Sequence, residues 1–191
     1  MAENKNLLGG NSINIIAEEF QPTVGTLVTT LPRMFPIYSV ELEIMVTGEQ
    51  RDSFTNIIHL SKTGQNMVEP GDRMPAIYLR PGENKLHIGA YVNGNNNHAY
   101  NSNEILKQNI WTKVQVLQTH VDGKYIYSIY IGNRQEYVIE NTTPIDIYDI
   151  KVFASDPWTG TPKTKIRNLK YSTCKMIFLR PSELAFTGED I

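Results

Sequence analysis

Apolar and polar residues alternate with a period of two along much of this chain. Over Ser39–Thr47, Val40, Leu42, Ile44 and Val46 fall on one side and Ser39, Glu41, Glu43 and Thr47 on the other. That is the pattern of a strand with one buried face. Lys85–Val92 repeats it, with Leu86, Ile88, Ala90 and Val92 inward and Lys85, His87, Gly89 and Tyr91 outward. In Trp111–Val121, Val114 and Val116 oppose Trp111, Lys113, Gln115 and Leu117. Further strands are predicted near Ile13–Phe20, Thr26–Thr30, Thr55–Leu60, Ala76–Arg80, Lys124–Ile131, Glu136–Glu140, Ile150–Ala154, Ile166–Tyr171 and Lys175–Leu179. Asp122-Gly123 and Gly132-Asn133 supply residues that tolerate positive φ, so residues 111–140 read as a three-stranded meander. The one helical candidate is Ser102–Asn109, where Ser102 or Asn103 offers a cap and Glu104 favours the first turn. About a dozen short strands, each with one apolar face, must stack or close on themselves. The expected fold is all-β, a two-sheet antiparallel jelly-roll sandwich. It is expected to form a single domain over residues 1–191, with terminal extensions at 1–10 and 173–191.

Composition narrows the function classes. At 191 residues with a formal net charge of −2, the chain is long enough to bury one core without covalent staples. Its 18 basic side chains are balanced by 20 acidic ones, so it lacks the cationic excess that phosphate contacts require. Nucleic acid is therefore not an expected partner. No apolar run approaches the roughly 18 residues of a membrane span. The start, Met1-Ala2-Glu3-Asn4-Lys5-Asn6, lacks the apolar region of a signal peptide. An intracellular protein and a mature or excised form both remain open. A lone cysteine, Cys174, cannot form an internal disulfide.

Sequence signatures of catalysis are absent: there is no phosphate-cradling glycine loop, no G-x-S-x-G elbow and no H-E-x-x-H. His59, His87, His98 and His120 are scattered without metal-ligand spacing. Glu41 and Glu43 share a strand face roughly 6–7 Å apart, between the carboxylate separations of retaining and inverting glycosidases. A solvated outer face is the favoured reading of the pair, and a glycosidase is the third functional reading. Asp146 and Asp149 are three apart and point to opposite faces of an extended chain.

Binding candidates are more numerous. The run Asn93-Gly94-Asn95-Asn96-Asn97-His98, followed by Tyr100 and Asn101, reads as a polar loop rich in paired donors and acceptors. Asn95, Asn96, Asn97, His98 and Tyr100 are its candidate ligand contacts. Trp158, in the turn sequence after Ser155-Asp156-Pro157, offers an indole for stacking on a sugar ring, and Asp156 beside it offers an oxygen to calcium. His87 and Tyr91 are candidates on an exposed sheet face. Asn141-Thr142-Thr143 is a glycosylation sequon, usable if the chain is secreted.

With the strands in order, the chain resembles the concanavalin A-like lectin/glucanase superfamily, and within it the laminin-G-like and pentraxin-like modules. The resemblance is carried by Phe35-Pro36-Ile37-Tyr38-Ser39-Val40-Glu41-Leu42-Glu43, Ile58-His59-Leu60-Ser61, Ala76-Ile77-Tyr78-Leu79-Arg80 and Lys85-Leu86-His87-Ile88. It continues through Trp111-Thr112-Lys113-Val114, Tyr127-Ser128-Ile129-Tyr130-Ile131-Gly132-Asn133, Val152-Phe153-Ala154-Ser155-Asp156-Pro157-Trp158 and Ile166-Arg167-Asn168-Leu169. It covers roughly residues 26–172. It implies a lectin-like carbohydrate-binding or adhesion module acting through rim loops and one sheet face, often with calcium, in an extracellular or cell-surface setting. The alternative is a protein–protein interaction or self-assembly module, so a homo-oligomer stays open, as does a cytoplasmic location. The chain departs from the family in lacking a C-terminal disulfide, the galectin sugar-binding set and the paired acidic calcium motif of pentraxins.

Overall fold

The computed structural model describes residues 10–173. Twelve strands make up the regular structure: β1 (Ser12–Ile16), β2 (Leu27–Met34), β3 (Tyr38–Val46), β4 (Thr55–Ser61), β5 (Ala76–Leu79), β6 (Leu86–Val92), β7 (Asn95–Asn101), β8 (Thr112–Val121), β9 (Lys124–Ile131), β10 (Arg134–Glu140), β11 (Ile147–Phe153) and β12 (Thr164–Thr173). They form two six-stranded sheets, ordered β1-β12-β3-β8-β9-β10 and β2-β11-β4-β5-β6-β7. Every neighbouring pair of strands is antiparallel. The expected jelly-roll sandwich is thus the observed fold.

The alternation read from sequence places the core. Val40, Leu42, Ile44 and Val46 of β3 and Val114 and Val116 of β8 are almost wholly buried on the inner face of the first sheet. They meet Ile58 and Leu60 of β4, Ile77 and Leu79 of β5, and Leu86, Ile88, Ala90 and Val92 of β6 from the second sheet in one hydrophobic cluster. Packing of this kind, at about 25 cal/mol per Å² of apolar surface removed from water, is the main force holding the sheets together. Asp122 and Gly123 both adopt positive φ (50° and 77°), as the two-residue turn between β8 and β9 demands.

Three expectations are corrected. The Asn-rich segment is a strand, β7, at the edge of the second sheet, and the tight turn before it is confined to Asn93-Gly94, both at positive φ. Backbone pairing with β6 overrides the low strand preference of asparagine. The helix expected over Ser102–Asn109 does not form. The Ser102 hydroxyl accepts the Leu86 amide instead of capping a following turn, and Leu106 is drawn into the core with its amide donating to the Asn84 carbonyl. The sequon asparagine, Asn141, is buried: its Nδ2 donates to Gln118 Oε1 at 2.7 Å, and its Oδ1 accepts the Asn93 and Thr143 amides. A side chain so engaged is not presented for glycosylation in the folded protein. Cys174 and the strand expected over Lys175–Leu179 lie outside the described residues.

β4 departs from the one-face rule in a way that locates the site. All seven of its residues are buried, so its outer face is covered as well as its inner one. The cover comes from two connections, residues 62–75 after β4 and residues 154–163 after β11, which bring polar and aromatic side chains onto the outer face of the second sheet.

Candidate functional site

His59 leaves the middle of β4 on that outer face and is fully buried. Its Nε2 stands 2.5 Å from the Asp72 carbonyl, which can only accept, so Nε2 is the donor. Its Nδ1 lies 3.2 Å from both Asp156 Oδ2 and the Tyr78 hydroxyl. Rings continue outward from this point. Trp158 packs edge-on to His59 at 5.3 Å and to Phe153 at 5.9 Å between centroids. On the other side Tyr78 lies 6.2 Å from His59, His87 5.9 Å from Tyr78, and Phe54 5.1 Å from His87. The two ends of this row reach solvent, with Trp158 38% and Phe54 41% exposed, while Tyr78 in the middle is buried.

Polar groups are interleaved with the rings. Arg73 lies across the sheet with its guanidinium 5.3 Å from the Tyr78 ring, and it hydrogen-bonds to Asn66 and to the Asn97 side-chain oxygen. His87 Nδ1 is 2.8 Å from Asn101 Oδ1, which fixes the proton on Nδ1 and leaves Nε2 as an acceptor. Burial, with the positive fields of Arg73 and Arg80 added, holds His87 below its ordinary value despite the Asn101 bond. Burial also pushes the Tyr78 hydroxyl up, so it remains a neutral donor.

The supporting loops are folded around two aspartates. The Asp72 carboxylate accepts from the hydroxyls of Ser61 and Thr63 and from the amides of Thr63, Val68 and Glu69. Burial opposes this charge, but the hydrogen bonds hold the carboxyl below its ordinary value. The Asp156 Oδ1 accepts the Trp158 amide at 3.1 Å and the Thr159 amide and hydroxyl at 2.8 and 2.7 Å. Burial would raise the Asp156 carboxyl, and the bonds from His59 and Thr159 outweigh it. Asp156 is fully buried with protein donors on both oxygens, so the structure leaves it no room for the calcium role expected of it. Among the described residues no cluster of three or more His, Cys, Asp or Glu side chains is placed to hold a metal ion.

The remaining candidates divide. Along β7 the side chains alternate, with Asn95 and Asn97 exposed and Asn96, His98 and Tyr100 half-buried. Asn97 and Asn101 belong to the outer-face cluster through Arg73 and His87. His98 and Tyr100 instead bind the other sheet, His98 Nε2 meeting the Tyr137 hydroxyl at 2.9 Å and the Tyr100 hydroxyl donating to Glu136 at 2.9 Å. They close the seam between β7 and β10. Tyr91 packs against the hydrophobic core. His87, Asn97 and Trp158 are therefore the sequence candidates that come together; Phe54, His59, Arg73 and Tyr78 join them without having been singled out. A histidine interrupting the run Ile57-Ile58-His59-Leu60 was the available signal.

Glu41 and Glu43 do share a face, on the outside of the first sheet. Each is held by a base: Lys113 Nζ lies 2.9 Å from Glu41 and Arg167 Nε 2.5 Å from Glu43. The Arg167 hydrogen bond lowers the Glu43 carboxyl in spite of some burial, the opposite of what a general acid needs.

No protein-family model and no curated protein matches this sequence. Solved structures do match in fold. The sialidase module CBM40 of Ruminococcus gnavus, solved bound to α2,3-sialyllactose, aligns with a TM-score of 0.56 at 7% identity, over 86% of this chain and 94% of that one. The heptameric SAP-like pentraxin of Limulus polyphemus aligns with a TM-score of 0.52 at 15% identity, over 86% and 76%. The endo-β-1,4-glucuronan lyase of Trichoderma reesei aligns with a TM-score of 0.50 at 11% identity, over 87% and 80%. The fold is a concanavalin A-like jelly roll. Within that concanavalin A-like frame, the ring-and-amide cluster occupies the outer face of the second sheet. No helix among the described residues is long and apolar enough to cross a membrane.

Proposed function

We propose that the chain is a non-enzymatic carbohydrate-binding module whose site is the outer face of the second sheet. The observation that carries the reading is the row of rings with solvent-exposed ends at Trp158 and Phe54, interleaved with the side-chain amides of Asn97 and Asn101. Sugars present apolar C–H faces and rings of hydroxyls. Exposed aromatic faces match the first and amide donor–acceptor pairs the second. The groups stand on strands and on loops pinned by Asp72 and Asp156, so little ordering is left to oppose binding. A structural neighbour from R. gnavus was solved with a sugar bound, which supports the same reading.

The catalytic alternative draws support from the lyase neighbour alone. Glu41 and Glu43 are ion-paired on the other sheet, and the Arg167 hydrogen bond lowers the Glu43 carboxyl. A protein ligand at the same face is the second reading, favoured by Met67 and Val68, 47% and 71% exposed on the loop that carries Asn66.

The test is a glycan array followed by calorimetric titration of the best ligand. Phe54→Ala removes a partly exposed ring and is expected to weaken binding about tenfold, ~1.4 kcal/mol, while the protein still unfolds in one cooperative thermal transition. Binding to a protein partner with no glycan binding at all overturns the carbohydrate reading.

A further inference from the structure

Arg73 is the anomaly of this face. It is only 7% exposed, and a cation so deeply buried is ordinarily matched by a carboxylate. Among the described residues it takes part in no ion pair. Its acceptors are neutral: the Asn66 carbonyl, 3.4 Å from Nε; Asn66 Oδ1, 2.8 Å from Nη2; and Asn97 Oδ1 at Nη1. A guanidinium carries five N–H groups, so two remain without a described protein acceptor.

The neighbouring acids do not neutralise it. Asp72 is turned into its own loop, where Ser61, Thr63, Val68 and Glu69 occupy its oxygens. Asp156 is taken by His59, Trp158 and Thr159. The sheet beneath makes space for the guanidinium: a Cβ on Gly89 would stand 3.2 Å from Nη1 and 3.3 Å from Cδ of Arg73. A second cation lies at the rim, where exposed Arg51 places Nη1 3.1 Å from the Cβ position of Gly160, two residues after Trp158. Arg80, by contrast, is matched by Glu83 at 3.1 Å.

Resting on the carbohydrate reading, we infer that the ligand is an acidic glycan whose carboxylate, of uronate or sialic type, is anchored by Arg73. A hydroxyl-only sugar would leave the buried charge unmatched, whereas a carboxylate supplies both the countercharge and paired acceptors for the planar fork. Tyr78 lies against the anchor, and the exposed rings further along the same row, Phe54 beyond His87 and Trp158 beyond His59, take the apolar faces of the glycan.

The test prints each acidic glycan, uronate and sialic, beside its carboxyl-reduced counterpart, and then titrates the best pair by calorimetry. The acid form is expected to bind at least tenfold more tightly, and whichever arm binds names the source of the carboxylate. Arg73→Gln removes the charge, and Gly89→Ala presses on the guanidinium without touching it chemically. Variants that melt like the parent are expected to show the preference cut to twofold or less. Equal binding of acid and reduced forms overturns this inference and leaves the carbohydrate reading standing. An intact preference in a folded Arg73→Gln protein overturns the assignment to Arg73, and binding of no glycan overturns both readings.

Discussion

Ser61, Thr63, Val68 and Glu69 all spend donors on one carboxylate, that of Asp72, and in doing so they shape the loop that lays Asn66 and Arg73 over the sheet. Asp72→Ala leaves those buried donors unmatched and is expected to cost about 3 kcal/mol in denaturant unfolding. His87 governs stability nearer neutral pH. Its folded pKa lies below the ordinary 6.5, so the unfolded chain binds the proton more readily. Its contribution is complete above 6.5 and is lost as pH falls toward the depressed value. His98, lowered by burial, adds to the same loss. Asp72 and Asp156, both depressed from an ordinary 3.8, extend the decline below pH 4. Thermal melts from pH 7 to 5 are expected to drop, and His87→Gln to flatten that drop; a melting temperature independent of pH across this range contradicts the assignment.

At the scale of elements, alternation was enough to read β3, β6, β8 and the meander that follows, because each buries one face against the other sheet. β7 was not legible in that way. Asparagine favours turns in isolation, and only the partner strand β6, whose Ala90 faces His98 and Gly89 faces Ala99, makes it extended. Amide exchange is expected to find part of Asn95–Asn101 protected alongside β6; uniform loop-like exchange contradicts the strand. The Asn93-Gly94 turn is tied to the far sheet by Asn141, which also holds Gln118. Asn141→Ala is expected to lower stability by about 2 kcal/mol in chemical denaturation. Mass spectrometry of the correctly folded fraction from a secreting eukaryotic host is expected to find Asn141 without a glycan, because the native fold buries its side-chain amide.

For the molecule as a whole, the two sheets follow from the sequence because their core is written in local periodicity. The site does not, because it is assembled from distant pieces: Phe54 before β4, Arg73 at the end of one loop, His87 on β6, Asn97 on β7 and Trp158 after β11. Sequence could name His87, Asn97 and Trp158 as unusual residues in exposed settings. It held no information on their meeting, nor on Arg73 lying across Gly89. The same long-range folding turned Asp156 from an apparent open loop carboxylate into a buried hub. The central claim is that ligand binding belongs to this face of the second sheet, and NMR chemical-shift mapping during titration with an array-selected glycan tests it most directly. Perturbations centred on Phe54, His87, Asn97, Asn101 and Trp158 are the predicted result. Perturbations centred on Glu41, Glu43 and Lys113 of the opposite sheet, or none at saturating glycan, would contradict it.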